Sequence, residues 1–310
     1  MSAGLQEWFR AHVRRVWDSL MEAELPGRFS NVEGGSVEQH TDRRLQLHHC
    51  VNYAAALTLL EGEGRDLDLL ELGCGSGALS AALATAMPEG WRLKATDYVP
   101  ELVEHARDRY ARDNLSFDTL DLRELRPEQL ADTDAVLFLE VIEHLSQQDA
   151  AGLLVRLHAA LPPGAKLVLT TLDRAPFPRP FSGYAPHVIE YTWQSLGRFL
   201  GDPANSPFES HAVHRLVSGR IASEAVKAEQ RGGYLANRLQ RKALEASRRS
   251  SAFDAVHRGL TAAGYRAYSL LPKQDRFDLD GYLETITLET ERPETHDADS
   301  FGLVAVLQKV

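Results

Sequence analysis

The stretch Leu67–Gly77, Leu-Asp-Leu-Leu-Glu-Leu-Gly-Cys-Gly-Ser-Gly, decides how this chain folds. Leu67, Leu69, Leu70 and Leu72 read as a short buried strand. Gly73, Gly75 and Gly77 follow at once, and then a small-residue helix from Ala78 to Met87. A strand, a glycine turn and a helix N-terminus make a nucleotide site. Glycines remove Cβ atoms where backbone approaches a ligand, and the first turn of a helix offers unpaired N–H groups.

Spacing strengthens this reading. The strand Arg92–Thr96 ends in Asp97, close to the roughly 20-residue distance at which a second parallel strand presents a carboxylate to a ribose diol. A third strand near Leu115–Leu120 ends in Asp121, and a fourth, Ala135–Leu139, ends in Glu140. With Glu71 these residues put an acidic edge along one side of a sheet. Such an edge suits a cofactor with hydroxyls, an exocyclic amine and a positive charge, and it repels a pyrophosphate.

On these residues the chain resembles the class I S-adenosylmethionine-dependent methyltransferases, strongly over Asp66–Thr171 and weakly elsewhere. Glu71-Leu-Gly73-Cys-Gly75-Ser-Gly77 looks like the family's first motif, which wraps the methionine end of the cofactor. Asp97 looks like its ribose ligand and Asp121 its adenine-amine ligand. Phe138-Leu-Glu140-Val-Ile-Glu143-His144-Leu looks like its fourth motif, beside the transferable methyl. The cofactor set this implies is Glu71, Gly73, Cys74, Gly75, Gly77, Asp97, Tyr98, Asp121, Leu122 and Glu140. Dehydrogenases that bind NAD share the early βαβ unit but carry G-x-G-x-x-G, whereas this chain has G-x-G-x-G.

The resemblance implies a Rossmann-like α/β fold. The expected architecture is a mostly parallel seven-stranded sheet with helices on both faces, an N-terminal helical cap and a helical insertion late in the chain. The expected divisions are a cap at 1–62, a cofactor-binding core at 63–200, a basic helical insertion at 201–250 and the rest of the core at 251–310.

The chain's 310 residues, 44% of them hydrophobic, suffice for one large core. A net charge of −10 argues against a dedicated nucleic-acid binder. The two cysteines, Cys50 and Cys74, imply no disulfide framework and fit a reducing cytoplasm. The first twenty residues include Glu7, Arg10, Arg14, Arg15 and Asp18, so they form no signal-peptide core, and no apolar run is long enough to span a bilayer.

Around the central unit, Trp8, Phe9, Val13, Val16, Trp17, Leu20 and Met21 recur at helical spacing and predict an amphipathic helix on the core. A second helix is expected at about Thr41–Leu60, capped by Thr41 or Asp42. It brings His40, Arg43, Arg44 and His48 near the glycine motif, as pocket residues or as surface and rim groups. Asp173–His187 holds Pro176, Pro178, Pro180 and Pro186 with Phe177, Phe181 and Tyr184. It leaves the carboxyl end of the fifth strand, where open α/β sheets bind ligands, and reads as a pocket wall.

Farther on, Thr192–Leu200 reads as a helix and about Leu216–Ser250 as a helical segment broken at Gly232-Gly233. His214–Arg258 carries ten Arg and Lys against four acids. Its two readings are a solvated helix against the acidic body and a dock for an anionic substrate. A helix at Phe253–Ala263 and strands at Tyr265–Leu271, Tyr282–Leu288 and Leu303–Leu307 complete the expectation.

Methyl transfer needs alignment of the nucleophile and removal of its proton. Glu140, Glu143 and His144 are the candidate catalytic groups. They also form a carboxylate–carboxylate–imidazole set that could hold Mg²⁺ or Mn²⁺. His187, in His187-x-x-Glu190-Tyr191-Thr192, would be a fourth metal ligand. That combination resembles the small-RNA 3′-terminal 2′-O-methyltransferases. The function expected is transfer of a methyl group to an oxygen or nitrogen of a small molecule. The alternatives are a divalent-metal RNA 2′-O-methyltransferase and a catalytically silent cofactor-binding regulator. Oligomeric state is not legible.

Overall fold

The computed structural model describes residues 3–22, 43–247, 277–289 and 297–310. Its centre is a sheet with the strands β1 (Asp68–Leu72), β2 (Arg92–Asp97), β3 (Leu115–Thr119), β4 (Ala135–Leu139), β5 (Lys166–Leu172), β6 (Ser210–Val217), β7 (Thr287–Glu289) and β8 (Ser300–Gln308). They lie in the order β3-β2-β1-β4-β5-β8-β6-β7. The first five are parallel, and β8, β6 and β7 pair antiparallel. Strand order reverses between β1 and β4, and open α/β sheets bind ligands at the carboxyl ends of the strands flanking such a point.

The period-2 alternation of β4 explains why both faces are covered. Ala135, Leu137 and Leu139 join a core with α1 (Ala3–Glu22), α2 (Arg43–Leu60), α3 (Ala78–Ala86) and α4 (Pro100–Tyr110). Val136 and Phe138 join the other core, with α5 (Gln147–Ala160) and α6 (Trp193–Leu200). Helix α1 buries Phe9, Val13, Val16 and Leu20, while Trp8 is turned outward. It also holds the far edge of the sheet, since Arg10 Nε donates to Ile286 O at 3.0 Å and Gln6 Nε2 to Leu288 O at 2.8 Å.

The rest of the sheet departs from expectation. Among the described residues it has eight strands rather than seven. Strand β6 lies partly ahead of, and partly within, the range expected to be helical. Its outer residues, Ser210, His211 and Ala212, are exposed, so it lacks the apolar run of a buried strand. Between Tyr282 and Leu288 only Thr287 and Leu288 are strand. The chain there starts with a short helix, Leu279–Leu283, whose cap Asp278 accepts from Gly281 N at 3.0 Å. The expected helix Phe253–Ala263, strand Tyr265–Leu271 and cap residues Thr41 and Asp42 fall outside the described residues, as does His40.

The basic segment forms α7 (Gly219–Ala228), a π turn at Glu229–Gly233 and α8 (Tyr234–Ser247), with Gly232 at φ 124° marking the expected break. Its α8 part contacts the proline loop. Arg241 stacks on Phe181 at 5.2 Å and donates to His187 O at 3.3 Å, and Asn237 Nδ2 donates to Ser182 O at 3.3 Å.

Beneath these contacts lies buried Arg174. Its Nη1 is 2.8 Å from Glu229 Oε2, its Nε 3.2 Å from Glu190 Oε2, and its guanidinium covers Phe177 at 4.0 Å. Removing this charge leaves two buried carboxylates without their cation. Arg174→Met is therefore expected to cost about 3–5 kcal/mol in urea unfolding; a loss under about 1 kcal/mol would show that the network adds little.

Candidate active site

The glycine loop closes the carboxyl end of β1. Gly73 N and Cys74 N both donate to Thr96 O at 2.8 Å, which ties the loop to β2. Gly73, Gly75 and Gly77 have φ of 87°, 56° and 84°, values that L side chains rarely adopt. A Cβ on Gly73 would lie 2.7 Å from Val141 Cγ2, and one on Gly77 2.6 Å from Ala106 Cβ. A Cβ on Gly75 would meet nothing within 4 Å. The outer glycines thus serve close packing, and the middle one borders open space.

Asp97 stands beside that space. Its Oδ2 accepts from Gly75 N at 2.9 Å and its Oδ1 from Val99 N at 3.0 Å, which leaves lone pairs on both oxygens. Below the loop, buried Glu71 accepts a short hydrogen bond from Tyr53 of α2, and burial pushes its carboxyl above the usual range. Burial also pushes the Cys74 thiol well up, which makes it a poor nucleophile.

Farther along the edge, Tyr98 is 60% exposed and Leu122 half-buried. Asp121 caps the turn after β3 by accepting from Arg123 N at 2.9 Å, and its carboxylate also takes the exposed Arg123 side chain. That hydrogen bonding holds its pKa at about 2.

At the end of β4 the expected cluster divides. Glu140 is the one non-glycine among the described residues with positive φ, 56°. Its Oε2 lies 3.1 Å from Nε2 of His48 on α2, and its Oε1 is buried with no hydrogen-bond partner. Burial raises the Glu140 carboxyl, but His48, with smaller help from His49 and His187, outweighs it and holds the group below its ordinary value.

Glu143 is 1% exposed, accepts from Thr171 Oγ1 at 3.0 Å and is pushed well up, first by burial and then by Glu140. Its backbone oxygen accepts from Val188 N and Ile189 N at 2.8 and 3.2 Å, which brings the proline loop down onto this turn. His144 Nδ1 is 3.1 Å from Pro186 O, and His187 Nδ1 is 2.6 Å from Glu190 Oε1.

Donor atoms of Glu143, His144 and His187 lie within 4.8 Å of one another. Glu140 is outside that group, because its carboxylate is turned across the site to α2. The structure thus gathers three of the four metal candidates. Tyr53 and Asn52 were not singled out in the sequence; the signal was two polar side chains opening the apolar run Asn52-Tyr-Ala-Ala-Ala of a buried helix.

The strand reversal, the glycine loop and the acidic strand ends define a methyl-transfer type of α/β domain, and sequence comparison agrees. Residues 70–167 match the model of a methyltransferase domain family. The chain is 31% identical over 156 residues to a ubiquinone biosynthesis O-methyltransferase of Xanthomonas campestris pv. campestris (strain B100), covering 50% of this chain and 60% of the relative. It is 34% identical over 156 residues to the protein of that name from Xanthomonas euvesicatoria pv. vesicatoria (strain 85-10), with the same coverage. The match thus spans about 60% of the length of these relatives.

Among solved structures, coclaurine N-methyltransferase bound to N-methylheliamine and SAH aligns over 97% of this chain and 87% of that one, at 16% identity and a TM-score of 0.49. Residues 70–167 are a class I S-adenosylmethionine-dependent methyltransferase domain.

The three glycines separate stability from binding. Gly77→Ala combines a left-handed backbone with a clash and should cost about 2–5 kcal/mol of stability. Gly75→Ala meets no protein atom and should cost only about 1–2 kcal/mol. It should nonetheless weaken S-adenosylhomocysteine binding by more than about tenfold in calorimetry. Unchanged affinity in Gly75→Ala would remove the loop from the cofactor site.

Proposed function

We propose that this protein transfers a methyl group from S-adenosylmethionine to an oxygen or nitrogen of a small molecule, with a hydroxyl the favoured acceptor. The observation that carries the reading is the open space over Gly75 beside the Asp97 carboxylate. The names of the curated relatives favour oxygen. In this reading 63–200 is the binding core, 1–62 its cap, 201–250 a basic insertion that also contributes strand β6 to the sheet, and 251–310 the remainder of the core.

When bound, the cofactor supplies an activated methyl carbon on a positively charged sulfur. Gly73, Cys74, Gly75 and Gly77 cradle its methionine end, with Glu71 beneath them. Asp97 takes the ribose hydroxyls on its spare lone pairs. Tyr98, Asp121 and Leu122 border the adenine, where Asp121 shares its carboxylate between Arg123 and the exocyclic amine. The acidic edge favours the cationic sulfur. Glu140, Glu143 and His144 face the reacting end, and the proline loop excludes water from it.

Asp97→Ala should weaken S-adenosylhomocysteine binding by about 1–3 kcal/mol, because the ribose hydroxyls lose an ionised acceptor. Calorimetry showing wild-type affinity would withdraw the ribose assignment.

A second reading, a divalent cation at Glu143, His144 and His187 serving transfer to an RNA end, is favoured by their proximity. Against it stand the net charge of −10 and the basic helix's commitment to the proline loop. Glu143 and His187 are also already spent on Thr171 and Glu190. Dialysis against EDTA is expected to leave turnover of a small catechol intact, and loss of turnover restored by Mg²⁺ or Mn²⁺ would reverse the order of the two readings.

A further inference from the structure

We infer that His48, on the N-terminal helix, takes the proton of the acceptor, and that Glu140 fixes the imidazole in the tautomer able to do so. The inference rests on the methyltransferase reading and adds to it a base that comes from outside the Glu140–His144 motif.

Hydrogen-bond geometry carries it. An ionised carboxylate only accepts, so the 3.1 Å contact with Glu140 Oε2 places a hydrogen on His48 Nε2. In the neutral ring, Nδ1 then holds the lone pair. No hydrogen bond to Nδ1 occurs among the described residues. The side chain is 15% exposed, so it is neither sealed in the core nor free in solvent. The groups facing the ring are Glu140, His49 at 5.5 Å between ring centroids, and Phe301 of β8 at 5.7 Å.

Two further features point to a ligand here. Glu140 keeps a left-handed backbone, which L side chains rarely adopt, and its N–H is held by Thr170 O at 3.1 Å. Such strain clusters at functional sites. One turn along α2, Asn52 is fully buried with neither amide atom paired, and Glu140 Oε1 is likewise buried and unpaired. Asn52 Oδ1 would lie 3.6 Å from a Cβ on Gly302, next to the Phe301 that meets His48. Leaving buried polar groups unpaired is costly, and a hydroxyl-bearing acceptor that reached Glu140 Oε1 would pair one of them.

The competing imidazoles are less suited. His144 rests on the carbonyl of Pro186, which stabilises an imidazolium less than a carboxylate does. His187 has Glu190, but that carboxylate already balances Arg174. At His48 the O–H bond of the acceptor breaks, the N–H bond at Nδ1 forms, and the oxygen keeps the electron pair with which it attacks. The imidazolium, held beside Glu140, returns its proton to water.

The first test needs no acceptor. Long-range ¹⁵N-histidine NMR on the full chain with S-adenosylhomocysteine should find neutral His48 as the Nε2–H tautomer, and Glu140→Gln should erase that preference. An Nδ1–H tautomer in the wild type overturns the inference. The second test measures methylation of catechol. His48→Gln should lower kcat by about 100-fold or more, leave S-adenosylhomocysteine affinity within about threefold, and recover in part with added imidazole. Near wild-type kcat in that variant overturns the inference. Failure of the wild type to bind S-adenosylhomocysteine at all would instead overturn the methyltransferase reading.

Discussion

The approach of Gly73 to Val141 is the contact on which the site depends. A side chain at Gly73 would sit 2.7 Å from Val141 Cγ2, inside any tolerable separation. Without one, the loop after β1 lies against the chain leaving β4. Those are the two strands at which the sheet reverses its order. The contact therefore sets the glycine cradle, with Asp97 behind it, beside the turn that carries Glu140 and Glu143. On the proposed reading, the residues that bind the cofactor and those at its reacting end become neighbours because one residue has no Cβ.

Helix α2 then supplies what the sheet lacks. Along one buried helix, His48 meets Glu140 and Tyr53 meets Glu71. Two carboxylates from different strands are thus each given a partner from the same element. A buried carboxylate without a partner protonates or destabilises the fold. Their fates differ with the partner. The neutral phenol leaves Glu71 raised, whereas the imidazoles hold Glu140 down. Glu143, partnered by the Thr171 hydroxyl, follows Glu71. Glu140 is thus held below its ordinary pKa, while Glu71 and Glu143 are pushed above theirs.

How much of this was legible in the sequence follows from range. Strands β1 to β5 and the glycine loop were legible, because period-2 apolar runs and turn glycines are local signals. The places of Asp97 and Glu140 at strand ends were legible as well: Asp97 closes β2 and Glu140 follows β4. Strand β6 was not: its first three residues are exposed, and its pairing with β8 over Ser210–Val217 and with β7 at its end makes it a strand. Tyr282–Leu288 reads as one strand because Thr285 and Thr287 alternate with Ile286 and Leu288, whereas its start belongs to the helix Leu279–Leu283 behind the Asp278 cap and only Thr287–Glu289 is strand. The His48–Glu140 pair spans 92 positions, and nothing within either motif encodes the other.

The basic segment shows how charge counting can mislead about partners. Its excess of arginine over acid suggested either attraction to the acidic body or an anion dock. Among the described residues that charge is used partly in the first of these ways and partly in stacking on rings. Arg220 lies 3.0 Å from Asp278 and covers Tyr282 at 3.9 Å. Arg241 covers Phe181, and Arg238 and Arg179 both lie over Tyr234. A guanidinium is planar and weakly hydrated, so it packs on rings and carbonyls where an ammonium would hold its water. The prolines of the loop limit its unfolded freedom, and Arg241 of α8 covers its Phe181. With Arg174 neutralising Glu190 and Glu229 underneath, the loop that brings His187 and Pro186 to His144 is fixed from both sides. On the proposed reading, the part of this positive charge carried by α8 shapes the wall of the site against the chain's own loop, and Arg220 of α7 pairs elsewhere, with Asp278.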